Sequence, residues 1–332
     1  MKYHFGIRVD MGGNVGSGHL FRCLALAREL KNNKKKVVFL ISNKKIFLEH
    51  VNNEFPYIKL KGKTEENFLK QCQQIEDIEV LVVDLGSKNT SYSKKLKNKK
   101  TVILDDLGNK EIASSVLING SIVNSFQKYQ FNHKISKLFV GTKYMILRKD
   151  FLKFRKKYKI TKKPIKNILL TFGGSDDLDL TLKLIPYFFN KKYSVTIVLG
   201  SSYKQKIKLR KAIKNHDNIK LINSVKNMAK LFTQQNLVLT SSGITIYELA
   251  CLGVPCLVFP ASKIQNIAAK QMANNGFGIN MGLKKRYNPK ILGIIDTIRF
   301  DLQKSMYLHG RKNIDGKGLE RSTKIILDLL TN

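Results

Sequence analysis

Apolar residues in this chain gather into short continuous runs separated by stretches of helical period. In the first half the runs are FGIRV (5–9), VVFLI (37–41), VLVVDL (80–85) and TVILDD (101–106). Each is continuous rather than alternating, the pattern of a parallel strand buried on both faces. Between the first two, residues 19–30 carry Leu20, Cys23, Leu24, Ala27 and Leu30 at helical spacing. Strand, helix, strand is a right-handed βαβ unit. The second half repeats the grammar with NILLTFGG (167–174), SVTIVLG (194–200), IKLIN (219–223), LVLTSSG (237–243) and PCLVFP (255–260). The charged stretch 148–166, with Pro164 near its end, reads as a linker. Residues 318–330, with Leu319, Ile325, Ile326, Leu329 and Leu330, read as a helix that closes the second half. The pattern predicts an α/β protein of two tandem Rossmann-like domains, 1–148 and 167–332, joined by a linker at 149–166 and facing each other across a cleft.

Composition fits this picture. A length of 332 residues suits two domains of roughly 100–200 residues each, and 43% hydrophobic residues exclude a disordered chain. Against 24 Asp and Glu stand 60 Lys and Arg, a net charge of +36. Such a balance points to nucleic acid, to an anionic membrane surface, or to a small highly charged ligand such as a nucleotide sugar. Alternatively it records lysine spread over solvated faces: the lysines run through 34–36, 94–100, 156–163 and 204–214, with no dense basic tail. RNP, KH, zinc-knuckle and helix-turn-helix patterns are absent, and aromatics do not interleave with the charge, so no nucleic-acid partner is expected. No apolar run approaches the ~20 residues that span a bilayer, and MKYHFGIRVD reads as a strand rather than a signal peptide. Cys23, Cys72, Cys251 and Cys256 form no C-x-x-C pair. Structural zinc and a disulfide framework are therefore not expected; a reduced, cytoplasmic setting and a monomer are.

The candidate chemistry lies in three loops that follow strands, where open α/β sheets bind ligands. The first, DMGGNVGSGH (10–19), holds Gly12, Gly13, Gly16 and Gly18, and its spacing departs from the dinucleotide G-x-G-x-x-G fingerprint. His19 falls near the start of the following helix, where the macrodipole favours the neutral imidazole. It is either a general base that takes a proton from water or a residue that caps and packs the loop. The second loop is Gly173, Gly174, Ser175 and Asp176; the third is Ser241, Ser242 and Gly243. Each either offers backbone N–H groups to an anion at a helix N-terminus or is an ordinary helix start. Two such loops in one domain suit a pyrophosphate. Glu248, among Ile246, Leu249 and Ala250, either accepts the ribose hydroxyls of a nucleotide or is an exposed helical glutamate.

The stretch R-x-D-x₅-G-S-G-H-L-x-R-C-L-x-L-A (8–27) resembles the N-terminal signature of the UDP-sugar hydrolases of pseudaminic acid biosynthesis, which cleave UDP-2,4-diacetamido-2,4,6-trideoxy-β-L-altropyranose. Further matches run in order over nearly the whole chain: LDDL (104–107), G-x₂-Y-x₂-L-R-x₂-F (141–151), FGGSD (172–176), SSG-x-T-x-YELA-x-LG-x-P (241–255) and DGKG-x-ER (315–321). That family is in turn similar to the GT-B glycosyltransferase that adds N-acetylglucosamine to lipid I.

The resemblance implies that His19 activates water for attack on the anomeric carbon. UDP then leaves with C1–O cleavage and inversion, without metal or cofactor. Gly173, Gly174, Ser175, Ser242 and Gly243 would hold the pyrophosphate and Glu248 the ribose. Arg8, Asp10, Gly16, Gly18 and Gln265 would line the sugar side, with Arg8 and Asp10 also shaping the loop. The chain departs from the family at three places. Ile264 replaces the Asn of an Asn-Gln pair and leaves only Gln265 to hydrogen-bond. Gly86 stands where a Tyr is usual, although Tyr92 follows. IASSVLINGSIVN (112–124) keeps only part of an acidic and amide-rich segment. These departures bear on which sugar is accepted. An inverting GT-B glycosyltransferase, in which an acceptor hydroxyl replaces water, is the alternative.

Overall fold

The computed structural model describes residues 2–10, 17–43, 47–48, 51, 54–62, 64–89, 96, 99–108, 112–129, 135–200, 202–223, 225–284 and 286–331. The chain forms two compact units: residues 1–149 together with 316–332, and residues 150–315.

The first unit is built on seven parallel strands, β1 (Tyr3–Val9), β2 (Val37–Ile41), β3 (Tyr57–Lys59), β4 (Ile78–Asp84), β5 (Lys100–Leu104), β6 (Ser114–Asn119) and β7 (Ile135–Val140). Their order is β3-β2-β1-β4-β5-β6-β7. The continuous runs become the central strands: β2 is buried throughout, and β1 and β4 pair in register from Tyr3 with Ile78 to Val9 with Asp84. Helix α1 (Ser17–Asn32) lays Leu20, Cys23, Leu24, Ala27 and Leu30 onto the sheet, the face its period predicts. On the other side α2 (Glu65–Gln74) packs Phe68, Leu69 and Cys72 beneath β4. Three strands, the three-residue β3 and the six-residue β6 and β7, do not stand out as apolar runs; β6 lies inside the 112–124 segment.

The second unit has six parallel strands, β8 (Asn167–Thr171), β9 (Ser194–Val198), β10 (Ile219–Ile222), β11 (Leu237–Thr240), β12 (Cys256–Val258) and β13 (Ile279–Asn280), in the order β10-β9-β8-β11-β12-β13.

Two expected boundaries are redrawn. Much of the 149–166 stretch is a helix, α3 (Lys149–Lys157), anchored by fully buried Phe151 and belonging almost wholly to the second unit. Arg155 on it donates to the carbonyls of Cys251, Ile314 and Arg311, and Arg311 donates back to the Arg155 carbonyl. The closing helix, α10 (Gly318–Leu327), belongs to the first unit and not to the second. Its Leu319 and Ile326 enter the same core as Leu20 and Leu24 of α1. A Cβ on Gly318 would stand 2.1 Å from the Met145 carbonyl oxygen, and Arg321 donates to the Lys143 carbonyl at 2.9 Å. An apolar stripe fixes only that a helix needs a partner; these contacts select the first unit.

Candidate active site

In each sheet the strand order reverses once, between β1 and β4 in the first unit and between β8 and β11 in the second. Parallel sheets bind ligands outside the carboxyl ends of the strands that flank such a reversal. Asp10, Gly18 and His19 fall at the first of these places, and Gly173, Gly174, Ser175, Ser242, Gly243 and Glu248 at the second; Gln265 follows β12 instead.

In the first unit α1 starts at Ser17, so Gly18 and His19 lie in its first turn. His19 Nδ1 is 2.6 Å from Oδ1 of Asp84, the last residue of β4. Arg22 stands three residues along the helix, on the same face. It donates from Nε to Asp84 Oδ2 at 2.6 Å, from Nη2 to Asp84 Oδ1 at 2.6 Å and from Nη1 to Asp106 Oδ1 at 2.7 Å. The Cys23 thiol donates to Asp84 Oδ2 at 3.4 Å. Asp84 is fully buried. Burial alone would raise its pKa, but the charges of Arg22 and His19 and their hydrogen bonds outweigh it and hold the carboxyl below its ordinary range. An ionised carboxylate against Nδ1 keeps the proton on that nitrogen and leaves Nε2 as the acceptor.

The net shift at His19 is upward. Burial, the largest influence, lowers its pKa and Arg22 does the same; the Asp84 charge, the Asp84 hydrogen bond and the Asp106 charge together outweigh them. The carboxylate, not the helix dipole, therefore sets the state of this imidazole, which corrects the expectation of a dipole-depressed base. His19 keeps 23% of its side chain exposed, enough to meet a ligand. Gly86, at φ +59°, faces it: a Cβ there would lie 3.9 Å from His19 Cε1.

Of the two roles expected of Arg8, shaping the loop and lining the sugar side, its surroundings leave only the first. Its side chain is fully enclosed and donates to Asp10 Oδ2 at 2.6 Å, to Glu65 Oε2 at 3.3 Å and to the Val9 and Leu40 carbonyls. Enclosed in this way it cannot touch a ligand; it fixes Asp10. Asp10 also accepts from the Ser42 hydroxyl at 2.7 Å and backbone N–H at 3.2 Å, which ties the exit of β1 to that of β2. Gly16, like Gly12, Gly13 and Tyr92, lies outside the described residues.

In the second unit Gly173 follows β8 at φ +81°, in a conformation that glycine adopts freely. A Cβ on it would lie 3.6 Å from Ser241 Oγ, so the loops after β8 and β11 are neighbours. Among the described residues, Cβ atoms on Gly174 or Gly243 would meet nothing within 4 Å. The Ser242 hydroxyl is buried with no hydrogen-bond partner among the described residues. Helix α7 (Thr245–Leu252) opens there without a side-chain cap, and Glu248, in its first turn, is 8% exposed, so it is not a solvated surface glutamate.

The Gly173 loop departs from expectation in one respect. Ser175 belongs to the turn, but the next helix begins only at Leu180. Asp176 takes its first N–H groups, accepting from Leu180 at 2.8 Å and Thr181 at 2.9 Å. Of the two loops in this unit, only the one after β11 opens directly into a helix. Gln265 lies on α8 (Lys263–Asn274), where its Oε1 accepts from the Ala261 N–H at 2.8 Å; its neighbour Ile264 is half exposed.

Asp84, Arg22 and Asp106 were not among the sequence candidates. A usable signal existed in two of them: Asp84 ends a strand whose preceding residues, Val80 to Val83, are all apolar, and His19 and Arg22 share a helix face. Among the described residues no group of three or more His, Cys, Asp and Glu is disposed to hold a metal ion. None of the described helices is long and apolar enough to cross a membrane.

Residues 168–314 match the family model of the glycosyltransferase family 28 C-terminal domain. The chain is 28% identical to the spore coat polysaccharide biosynthesis protein SpsG of Bacillus subtilis, over 98% of both chains. It is 24% identical to the UDP-2,4-diacetamido-2,4,6-trideoxy-beta-L-altropyranose hydrolase of Campylobacter jejuni, over 82% of this chain and 97% of that one. In three dimensions it superposes on MurG of Acinetobacter baumannii with a TM-score of 0.69 and 17% identity, over 99% of this chain and 100% of that one. The fold is thus that of the GT-B glycosyltransferases, two parallel-sheet Rossmann-like domains.

Proposed function

We propose that the protein cleaves the C1–O bond of a UDP-linked diacetamido-trideoxy sugar, with water as nucleophile and inversion at the anomeric carbon. The observation that carries the reading is the His19–Asp84 pair at the strand reversal of the first unit. With its Nδ1 proton held by Asp84, His19 takes a proton from water at Nε2 while the oxygen bonds to C1. The C1–O electron pair departs with the diphosphate of UDP. A base of this kind contributes roughly 10²–10⁴-fold. In this reading the diphosphate rests against Gly173, Gly174, Ser175, Ser242 and Gly243, and the unpartnered Ser242 hydroxyl gains an acceptor on binding. Glu248 receives the ribose hydroxyls, while Gly18, Asp10 and Gln265 border the sugar. The relation to the Campylobacter jejuni hydrolase supports water as the acceptor.

A second reading has its own support. Residues 168–314 match a glycosyltransferase domain, and a transferase would use the same base on an acceptor hydroxyl. Incubation of the protein with the UDP-diacetamido sugar, followed by phosphorus and proton NMR, separates the two. Release of UDP and inverted free sugar without acceptor supports hydrolysis; release only when an alcohol or lipid acceptor is supplied identifies a transferase. His19→Asn is expected to lower turnover at least about a hundredfold and leave UDP binding nearly intact. Near-normal turnover in that variant removes His19 from the mechanism.

A further inference from the structure

The charged groups behind His19 do not balance as a simple carboxylate–histidine pair. Arg22 grips Asp84 with two donors at 2.6 Å, one on each carboxylate oxygen, and its Nη2 stands 3.2 Å from His19 Nδ1. A guanidinium held this closely cancels the negative charge of Asp84. Asp84 and Arg22 alone would present a neutral pair, with the arginine as the nearest cation, to the imidazolium that forms when His19 takes a proton. Asp106 alters that balance. It follows β5, keeps 31% of its side chain exposed, and accepts from Arg22 Nη1 at 2.7 Å. Asp84, Arg22 and Asp106 together carry one net negative charge.

We propose that Asp106 is a positioning residue for His19: acting through Arg22, it restores the negative charge that the arginine removes and so lets His19 hold a proton. This rests on the reading of His19 as the general base, and it assigns work to two residues that the reading gives no contact with the attacking water or the sugar. Among the described residues, the titratable and charged groups facing the His19–Asp84 pair are Arg22 and Cys23 from α1, Asp84 from β4 and Asp106 after β5; Gly86 brings none. Asp106 acts to raise the proton affinity of His19 and Arg22 to lower it. Coulomb interactions of this kind persist in a half-enclosed site where bulk screening is weak. The proton taken from the nucleophile rests on Nε2 during the step and returns to solvent afterwards, so nothing else is consumed.

The test uses the full-length protein with carbon-13-labelled histidine. The Cε1–H resonance of His19 is assigned by its loss in His19→Asn and followed against pH in the wild type, in Asp106→Asn and in Arg22→Gln. Asparagine keeps an acceptor for Arg22 and removes only the charge. The expected results have opposite sign: Asp106→Asn moves the His19 titration to lower pH and Arg22→Gln moves it to higher pH. The acid limb of kcat/KM for the UDP-diacetamido sugar moves the same way, and the plateau of Asp106→Asn falls about tenfold. A merely structural role would loosen the cluster in both variants and shift both titrations in one direction. An Asp106→Asn titration that is unmoved or moves upward overturns the inference, even if the wild type releases UDP. Titrations that split as stated support it, even if no UDP is released from the sugar, in which case it is the hydrolase reading that fails.

Discussion

Replacing Asp84 by Asn tests the base directly, because it keeps the shape of the side chain and removes its charge. In the wild type both Asp84 oxygens are acceptors, facing His19 Nδ1, Arg22 Nε and Nη2, and the Cys23 thiol. An asparagine offers one acceptor and one donor to the same surroundings. If its oxygen turns to Arg22, its amide points at His19 Nδ1 and drives the histidine proton onto Nε2, the nitrogen that must accept. The equivalent change in a serine-protease triad lowers turnover about 10⁴-fold for this reason. A loss of about 10³–10⁴-fold is therefore expected, or roughly 4–5.5 kcal/mol at 1.36 kcal/mol per decade. Stability falls as well. Breaking a buried ion pair costs about 3–5 kcal/mol, and Arg22 here keeps Asp106, which places the cost near the lower figure. A domain of this size loses roughly 2–4 °C in Tm per kcal/mol, so a melt lower by about 6–12 °C is expected. The assay is UDP release followed by phosphorus NMR well below the shifted Tm, beside a thermal melt by circular dichroism. A folded Asp84→Asn protein that works within about tenfold of wild type would refute the carboxylate–histidine base.

Three further outcomes follow from the geometry. Gly243→Ala adds a Cβ into open space, whereas Gly200→Ala brings one to 2.1 Å from the Gly174 carbonyl oxygen. The first should leave the melt nearly unchanged and weaken UDP binding by calorimetry; the second should lower the melt by several degrees, and the reverse ranking would remove UDP from the Gly243 loop. Glu248→Ala should weaken UDP binding, by about 1–3 kcal/mol if the ribose contact is charged, and unchanged affinity would free Glu248 of that role. On pH, the two members of the pair act at opposite ends. Asp84 is depressed below its unfolded 3.8, so its stabilisation is full above that value and is lost as pH falls through the native one. His19 is raised above 6.5, so its contribution is full below 6.5 and is lost as pH rises through its native value. Urea midpoints measured from about pH 3 to 8 should show both slopes in the wild type and lack the upper one in His19→Asn; an identical upper slope in the two proteins would contradict the assigned shift.

The strands were legible where burial on both faces made them continuous: VVFLI spans β2 from end to end, and LVLT spans β11. Short edge strands escaped, since β3 is half solvated and β13 has two residues. The glycine loops and His19 were visible because a turn and an imidazole each leave a local mark. Asp84 was not, because its meeting with His19 is made across 65 residues of chain and depends on β4 lying next to β1. Glu248 reads equally well as buried or solvated from its own segment, because its burial comes from the rest of the unit, which covers every residue from Ile246 to Leu252. Local periodicity announces a helix but not its partner, so the apolar stripe of α10 does not say which unit the helix completes.

The place of α10 has a consequence for how the chain acquires its structure during synthesis. Because Leu319 and Ile326 complete the core that Leu20 and Leu24 begin, the first unit cannot finish folding when its first 149 residues have emerged. The ribosome must still deliver residues 150–315, a delay of roughly 8–33 s at about 5–20 residues per second. The second unit is continuous and waits for nothing. The unit translated from the middle of the chain can therefore close before the one begun first, and the surface of α1 that awaits α10 is the part of the nascent protein most in need of cover.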